Sequence, residues 1–279
     1  MFIVVESGST KADWMIIDYL EKTKTKTKGM NPYFHDENMV FNELKKNDVL
    51  FEIKHKVEKI FFYGAGCSSP KLNFRIEKGL KAFFMNCSTS INHDLEACAY
   101  ACYNNEPEIA CIIGTGSNSC YYDGNKVIEE IPSVGHHLGD EASGNYFGKI
   151  LLADFLYKRL PEAMHNELVD MGLNKDVIIE NVYQKPDVNV YIASFMPVLI
   201  KHKETEYAKN IIKAGFQRFL DIHVKCYSNY KDCEVNFVGS VADFLRDELH
   251  EVCKINDIRI GRIIRRPLEN LVQYHQSIM

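Results

Sequence analysis

The sequence predicts an α/β protein of two domains, each built on a mixed β-sheet. The chain has 279 residues, and at about 150 residues per domain this length corresponds to about two domains. A strand, a turn of small residues and a second strand open the chain, and the same pattern returns after Pro107. Helices and strands then alternate, which is typical of parallel strand pairing beside an antiparallel edge.

Composition and charge exclude several classes of protein. Hydrophobic residues make up 46% of the chain and charged residues 25%, which excludes a disordered chain, a collagen-like repeat and a coiled coil. A net charge of -5 disfavours sequence-independent binding to nucleic acid, because such binding needs a basic face. The apolar run at 188–200 is shorter than a membrane span, and the first residues lack the basic region of a signal peptide. We therefore expect a cytoplasmic protein that binds neither nucleic acid nor membrane.

The nine cysteines include no CxxC pair, so they predict neither a disulfide framework nor a zinc site. Free cysteines are often buried, and we interpret these as reduced thiols in the core. A metal or cluster shared by Cys98 and Cys102, which a helix would place on one face, is the alternative.

The first half opens with a hairpin. Strands at 2–5 and 12–19 flank the small-residue turn 6–11. Residues 22–28 alternate Lys with Thr, which predicts an edge strand because lysines discourage pairing between sheet edges. An anion-binding patch is the alternative there. The remaining predictions for this half are a strand running into a glycine turn at 60–66, a strand at 88–92, and helices at 36–48, 70–84 and 95–103.

The second half repeats the hairpin and then becomes mostly helical. Strands at 109–113 and 119–122 flank the turn 114–118, which has the same small-residue composition as the first turn. Later segments predict helices at 141–159, 161–170, 175–184, 191–202, 205–230, 241–254 and 268–276, with strands at 235–238 and 259–264. We place one domain at 1–107, with the terminal helix 268–279 packed back on it, and the other at 108–267.

The turn 6–11 carries residue types that bind phosphate. Glycine and serine let the backbone approach a ligand closely, and successive backbone N–H groups can cradle phosphate oxygens. Ser9 and Thr10 add hydroxyl donors, and Lys11 adds a counter-charge. Glu6, at the end of the first strand, offers a carboxylate for Mg²⁺. Taken alone, the same residues also suit an ordinary hairpin turn.

Two later turns extend this pattern. The turn 114–118 has the sequence GTGSN and could bind phosphates from a second side. It is neither a Walker A loop nor a GxGxxG turn that opens a helix, since a strand follows it. The dipeptide Gly239-Ser240 opens a helix and would let a base or ribose lie against the backbone; an ordinary strand-to-helix turn is the alternative.

These segments resemble the motifs of the sugar kinase, heat-shock 70 and actin superfamily. Residues 5–14 resemble its first phosphate motif, residues 113–119 the second, and residues 237–241 the adenosine motif. Within that superfamily the chain is similar to N-acetylglucosamine kinases of the BadF/BadG/BcrA/BcrD ATPase group. Further matching segments follow in family order at 30–32, 92–97, 135–143 and 267–271, so the resemblance spans nearly the whole chain.

The resemblance implies a two-domain actin-like ATPase fold, which is ribonuclease H-like, with a nucleotide cleft between the domains. It implies an ATP-dependent kinase that phosphorylates the 6-hydroxyl of an N-acetylated amino sugar, first of all N-acetylglucosamine. ATP and Mg²⁺ are the implied cofactors, a small amino sugar is the implied partner, and a homodimer is consistent with the family.

The resemblance also assigns residues. Asp94 matches the catalytic aspartate, which accepts the proton of a sugar hydroxyl during phosphoryl transfer. Its alternative role, like that of Asp140, is to cap a helix. The expected sugar-binding set is Asn31, Asp94, Ser117, Asn118, Gly135 and Asp140. The expected nucleotide-binding set is Ser9, Thr10, Lys11, Thr115, Gly116, Gly239 and Ser240. Glu6 stands where many members carry Asp and is the metal candidate.

Departures from the family leave alternatives open. Val134 stands where animal members carry Trp, which would leave room for the lactyl ether of N-acetylmuramic acid. His136 and His137 are adjacent; one could be a polar pocket residue, but the pair alone lacks further ligands for a metal site. A reductase-activating ATPase of the same group would need cluster thiolates near the second turn. A non-catalytic nucleotide-binding scaffold would need neither Asp94 nor Asn31.

Overall fold

A computed structural model describes residues 1–8, 11–19 and 21–279. The chain divides into two compact units. Unit 1 comprises Met1–Ala101 and Pro267–Met279, and unit 2 comprises Cys102–Arg266. The units are described one at a time below. Ser9 and Thr10, which the sequence assigns to the nucleotide site, lie outside the described residues.

Unit 1 contains a mixed sheet whose described strands are ordered β3-β2-β1-β4-β5. The strands are β1 (Phe2–Ser7), β2 (Lys11–Asp18), β3 (Glu21–Lys28), β4 (Lys59–Gly64) and β5 (Ser88–His93). Antiparallel pairing joins β1 to β2 and β2 to β3, whereas β4 runs parallel to both β1 and β5. The predicted mixed sheet with an antiparallel edge is therefore confirmed.

The lysine-rich strand β3 lies at the edge of this sheet, as predicted. Its lysines are exposed, while Thr25 and Thr27 are partly buried. The indole Nε1 of the fully buried Trp14 donates to Thr27 Oγ1 at 3.0 Å. The alternation thus gives β3 one solvated face and one face that packs on its neighbours.

Helices cover both faces of the unit 1 sheet. They are α1 (Glu37–Lys45), α2 (Asp48–Ile53), α3 (Pro70–Phe83), α4 (Asp94–Cys102) and the C-terminal helix (Leu268–Ile278). The helix predicted at 36–48 corresponds to α1, which ends three residues earlier, at Lys45. Asp36 accepts from Met39 N, and Asn47 accepts from Leu50 N to begin a second helix. The C-terminal helix packs Leu268, Leu271 and Val272 against Val4 and Met15 of the sheet.

Unit 2 contains a second mixed sheet, whose described strands are ordered β10-β9-β6-β7-β8. The strands are β6 (Glu108–Ile113), β7 (Ser117–Tyr122), β8 (Val127–Ile128), β9 (Glu234–Val238) and β10 (Ile260–Ile264). Again a hairpin, β6 with β7, continues into parallel neighbours, β9 and β10. In each sheet, the parallel strands therefore end at the edge where the two strands of the hairpin are joined.

The helices of unit 2 are shorter than the sequence predicts. They are α5 (Gly135–Leu138), α6 (Gly144–Leu156), α7 (Glu162–Asp170), α8 (Lys175–Tyr183), α9 (Val188–Ala193), α10 (Met196–Lys201), α11 (Glu206–Phe219), α12 (Ser240–Phe244) and α13 (Arg246–Ile255). The helix predicted at 191–202 is interrupted before α10, which carries a proline in its first turn. The helix predicted at 205–230 ends as a π-helical turn, Leu220–Val224.

The cysteines are free thiols, as predicted, and all except the half-buried Cys226 are buried. Burial raises the pKa of Cys67 and of Cys253 to about 12, so these thiols stay protonated. Within the described part of the chain, no group of three or more His, Cys, Asp or Glu side chains is arranged to hold a metal ion. Among the described helices, none is long and apolar enough to cross a membrane.

Candidate functional site

In unit 1, three parallel strands end at one edge of the sheet. The register pairs Ser7 of β1 with Gly64 of β4, and Gly64 with His93 of β5. Glu6 precedes the end of β1, and Asp94 follows the end of β5 and begins α4. The edge therefore brings together two carboxylates that the sequence assigns to metal binding and to catalysis.

Asp94 is accessible and oriented by its neighbour. Its side chain is 32% exposed, and Oδ1 lies 2.8 Å from His93 Nδ1. The start of α4 is capped by another group, because His93 N donates to Glu96 Oε2 at 2.8 Å. Capping therefore rests on Glu96, and the carboxylate of Asp94 is available for a ligand.

Asn31 lies in a loop that is tied to the same edge. Met30 N donates to Ser7 Oγ at 2.8 Å, which anchors the loop to the end of β1. Asn31 Oδ1 accepts from Tyr33 N at 3.0 Å. Gly66 has a φ of +83°, and a Cβ there would lie 2.5 Å from Asn31 Oδ1. The loop thus uses the carbonyl end of the Asn31 amide, and among the described residues no partner binds its Nδ2 group, which can donate to a ligand.

Lys11, at the end of the first turn, forms an ion pair with Asp13. Its Nζ lies 2.6 Å from Asp13 Oδ2, and Lys26 Nζ lies 3.9 Å from the other oxygen of Asp13. The register places Asp13 directly opposite Glu6 on the neighbouring strand, so the two side chains share a face of the sheet. Asp13, which the sequence analysis did not single out, therefore links Lys11 to this edge.

In unit 2, the second small-residue turn closes around Asp140. Ser117 N donates to Asp140 Oδ1 at 3.3 Å, and Asn145 Nδ2 donates to Oδ2 at 2.9 Å. A Cβ on Gly116 would lie 3.0 Å from the same carboxylate. Burial raises the pKa of Asp140, and the two hydrogen bonds partly oppose that rise. The structure therefore brings Gly116, Ser117 and Asp140 together.

Asp140 does not cap a helix. The helix predicted from Glu141 begins instead at Gly144, and Ser143 caps it by accepting from Tyr146 N at 3.3 Å. Asp140 and Ala142 have φ values of +61° and +58°, a backbone conformation that residues other than glycine rarely adopt. The segment before α6 is thus a strained loop, and such strain clusters at functional sites.

Backbone N–H groups at the start of α6 also donate hydrogen bonds to the second turn. Gly144 N donates to Gly114 O at 2.8 Å, and Asn145 N donates to Thr115 O at 3.0 Å. The sequence analysis did not identify Asn145; its position within the motif after Asp140 was the available signal. Among the described atoms, Asn145 Oδ1 and Ser117 Oγ are buried without a hydrogen-bond partner. Such atoms are uncommon in folded proteins and fit a site for a polar ligand.

Asn118 is bound on both ends of its amide. Its Nδ2 donates to Glu129 Oε1 at 2.8 Å, and its Oδ1 accepts from Ser119 N at 2.9 Å. Glu129 Oε1 also accepts from Ser133 N at 3.3 Å. Sequence reasoning missed Glu129, because no local pattern relates it to Asn118. These bonds orient the Asn118 amide, and each end can still make one further hydrogen bond to a ligand.

Gly239 lies against the second turn. Its φ is +133°, and a Cβ would lie 2.2 Å from Ile113 O, so no other residue fits without a backbone shift. Gly239 N donates to Ile264 O at 2.9 Å. The next residue of that strand end, Arg265, places its guanidinium 4.4 Å from the ring centre of Phe244. Gly239 and Ser240 thus stand next to the turn, beside an aromatic and guanidinium pair.

Gly135 opens the short helix α5. Its φ is +72°, and a Cβ would meet nothing within 4 Å, so the backbone angle alone favours glycine. Lys149 Nζ donates to His136 O at 2.5 Å and fixes this helix to α6. The rings of His136 and His137 lie 4.0 Å apart, and burial together with His137 lowers the pKa of His136.

The residues present fit a nucleotide with its magnesium ion. Mg²⁺ usually takes one or two carboxylates from the protein and its other ligands from phosphates and water. Glu6 supplies such a carboxylate at the edge where the parallel strands end. In unit 2, Gly114 leaves open space where a side chain would stand, so backbone groups of the turn can approach a phosphate closely.

Comparisons with known proteins place these observations in context. No protein-family model and no curated protein matches the chain. A solved structure of a proposed N-acetylglucosamine kinase from Porphyromonas gingivalis is 32% identical over 99% of each chain, with a TM-score of 0.93. A second such protein, from Chromobacterium violaceum, is 15% identical over 98% of each chain, with a TM-score of 0.73.

A third structure is a ROK family glucokinase from Streptomyces griseus in complex with glucose and AMPPNP. It is 16% identical, covers 99% of this chain and 98% of its own, and has a TM-score of 0.57. At such identities the second and third structures establish a shared fold alone. The fold class predicted from the sequence, that of two-domain actin-like ATPases, is thereby confirmed.

Proposed function

Because this chain belongs to the N-acetylglucosamine kinase-like group of the sugar kinases, we propose that it is an ATP-dependent amino-sugar kinase. The reaction is transfer of the γ-phosphoryl group of ATP to the 6-hydroxyl of an N-acetylated amino sugar, with N-acetylglucosamine as first substrate. The observation that carries the proposal is the position of Asp94. It is an accessible carboxylate at the edge where β1, β4 and β5 end.

Asp94 acts as the general base in this proposal. It accepts the proton of the sugar hydroxyl while that oxygen bonds to the γ-phosphorus and the bond from phosphorus to the bridging oxygen breaks, releasing ADP. The contact of 2.8 Å with His93 Nδ1 orients one carboxylate oxygen. The other oxygen accepts the proton of the sugar hydroxyl in this proposal. Most of the rate enhancement then comes from positioning and charge stabilisation.

The sugar ligands in this proposal are amide, hydroxyl and carboxylate groups. In unit 1, Asn31 donates through Nδ2. In unit 2, Asp140 and Ser117 bind hydroxyl groups, and the Asn118 amide, oriented by Glu129 and Ser119, makes a further hydrogen bond to the sugar. Amide donors and carboxylate acceptors suit the hydroxyl and acetamido groups of an N-acetylated sugar.

The nucleotide is held by backbone groups of the turns. The described candidates are Lys11, Thr115, Gly116, Gly239 and Ser240, and the flat pair of Phe244 and Arg265 offers a surface for the base. Glu6 and the phosphates would hold magnesium, which when bound would neutralise the charge that develops on the phosphoryl oxygens. Val134 supports a second candidate substrate. Its side chain is small and 54% exposed, which suits a larger sugar such as N-acetylmuramic acid.

The test measures ADP release with Mg-ATP for wild type and Asp94→Asn across several sugars. The panel contains N-acetylglucosamine, N-acetylmuramic acid, N-acetylmannosamine, glucose and no sugar. Removing a general base typically lowers the rate by about 10²–10⁴-fold, so we expect a loss of that size in kcat. The preferred sugar identifies the substrate.

A matched control is Asp36→Asn. Asp36 caps α1, and Asn caps a helix equally well, so this variant should keep wild-type turnover and stability. ADP release that does not depend on any sugar, or that survives in Asp94→Asn, would overturn the proposal. In that case, iron content and a search for a reductase partner would test the reductase-activating ATPase.

A further inference from the structure

One buried histidine contacts both segments that carry the proposed sugar-binding residues of unit 2. His223 is 4% exposed and lies in the π-helical turn Leu220–Val224. Its Nε2 lies 3.2 Å from Glu141 Oε2, and its backbone oxygen accepts from Ser119 Oγ at 2.6 Å. Glu141 follows Asp140, and Ser119 follows Ser117 and Asn118. His223 therefore joins two segments that are distant in sequence.

The segment that Glu141 belongs to needs such a restraint. Asp140 and Ala142 both have positive φ values, +61° and +58°, which are unfavourable for side chains with a Cβ. Glu141 stands between them and is 6% exposed. Its second oxygen lies 3.5 Å from Arg218 Nε. A strained backbone persists only where surrounding contacts hold it, and the bonds of Glu141 supply them.

Donor and acceptor chemistry explains why histidine stands at this position. A carboxylate oxygen accepts, so His223 Nε2 must donate to Glu141. The other ring nitrogen, Nδ1, is buried without a hydrogen-bond partner among the described atoms. The ring also stacks on Phe219 at 5.0 Å between ring centres. The imidazole thus combines one buried hydrogen-bond donor with a ring face that stacks on Phe219.

The π-helical turn places this ring. Such turns insert a residue into a helix and rotate the following side chains, and they are frequent at functional sites. Here the turn follows α11 and packs against β7, the strand that begins at Ser117. The distortion of the helix is therefore coupled to the geometry of the site.

We propose that His223 is a positioning residue for the sugar: through Glu141 and Ser119 it holds Asp140 and Ser117 in their ligand-binding arrangement. This inference rests on the proposed function for the identity of the ligand. Replacing His223 by Phe keeps the ring and its stacking but removes the donor to Glu141. The strained loop then loses a restraint, and sugar binding weakens more than nucleotide binding.

The experiment compares His223→Phe, His223→Gln and His165→Phe in the full chain. Gln keeps an amide donor that can reach Glu141. His165 stacks on Phe155 at 4.8 Å between ring centres in the same unit, so His165→Phe makes the same chemical change elsewhere. For His223→Phe we expect KM for N-acetylglucosamine to rise about tenfold. KM for ATP should stay near its wild-type value, and His223→Gln should recover most of the loss.

A second measurement does not depend on turnover. Hydrogen exchange of the ligand-free protein should show faster exchange across 139–143 in His223→Phe, by about tenfold, and little change in His165→Phe. Unchanged exchange in His223→Phe, or equal rises in both KM values, would overturn the inference even if the protein is a sugar kinase. Faster exchange in a protein without sugar-dependent turnover would support the restraint and reject the proposed function. If His223→Phe does not fold, the test rests on His223→Gln. KM values of that variant that differ from those of wild type would overturn the inference.

Discussion

Replacing Gly239 by Ala tests how tightly the third turn packs on the second. The structure predicts two separate penalties. At a φ of +133° an alanine is strained, which costs about 1–3 kcal/mol. The new Cβ would also lie 2.2 Å from Ile113 O, well inside contact distance, and relieving such overpacking costs about 1–3 kcal/mol.

The sum, about 2–6 kcal/mol, is large beside the usual stability of a domain, about 5–15 kcal/mol. Substitutions at two other glycines allow the two penalties to be measured separately. Gly172 has a φ of +81° with open space around a Cβ, so Gly172→Ala carries the strain alone. Gly114 has open space and no positive φ, so Gly114→Ala should change stability by about 1 kcal/mol or less.

The assay is urea unfolding of the full chain, followed by circular dichroism and by the fluorescence of Trp14. Trp14 is the single tryptophan of the chain and lies in unit 1, whereas Gly239 lies in unit 2. Comparing the two probes therefore shows which unit loses stability. Losses ordered Gly239, then Gly172, then Gly114 would support the reasoning. Equal losses at Gly239 and Gly172 would refute the claim that contact with Ile113 restricts the site.

Two further predictions concern pH. Burial raises the pKa of Glu108 to about 8; the unfolded chain then binds fewer protons than the folded one between about pH 4.5 and 8, so stability falls as pH rises through that window. Glu108→Gln should remove this fall. If the urea midpoint changes equally between pH 6 and pH 8 in wild type and in Glu108→Gln, the prediction is contradicted. Burial lowers the pKa of His275 to about 4, so stability is lost, by about 1–3 kcal/mol, as pH falls from about 6.5 to 4. His275→Gln keeps a partner for Tyr63 and should flatten that loss, as urea midpoints at pH 7 and pH 5 would reveal.

Local patterns determined most of the secondary structure. The hairpin around 6–11, the alternating lysines of β3 and the buried strand β4 follow from residue order, because side chains alternate across a strand. Short-range capping was readable in part: Asp36 and Asn47 each accept from a backbone N–H three residues ahead. The sequence analysis did not predict α2, which has only six residues and is too short for a clear apolar periodicity.

Motif order determined which residues to examine. Asp94, Asn31, Asp140 and the two later turns were named from short matches, and the structure places Asp140, Gly116 and Ser117 in contact. The assignment of Asp140 to a helix cap failed because propensity cannot reveal a strained loop that long-range bonds hold in place. The roles of these residues remain predictions for the kinase assay.

The sequence by itself determined the fold class, the strands, the small-residue turns and the candidate base Asp94, because these depend on neighbours along the chain. Only the tertiary structure decided what surrounds them. The bond from Ser119 to His223 joins residues 104 positions apart, and that from His223 to Glu141 spans 82 positions. Such pairs meet because the sheet of unit 2 packs against its own helices, and packing of distant segments leaves no periodic signal in the sequence.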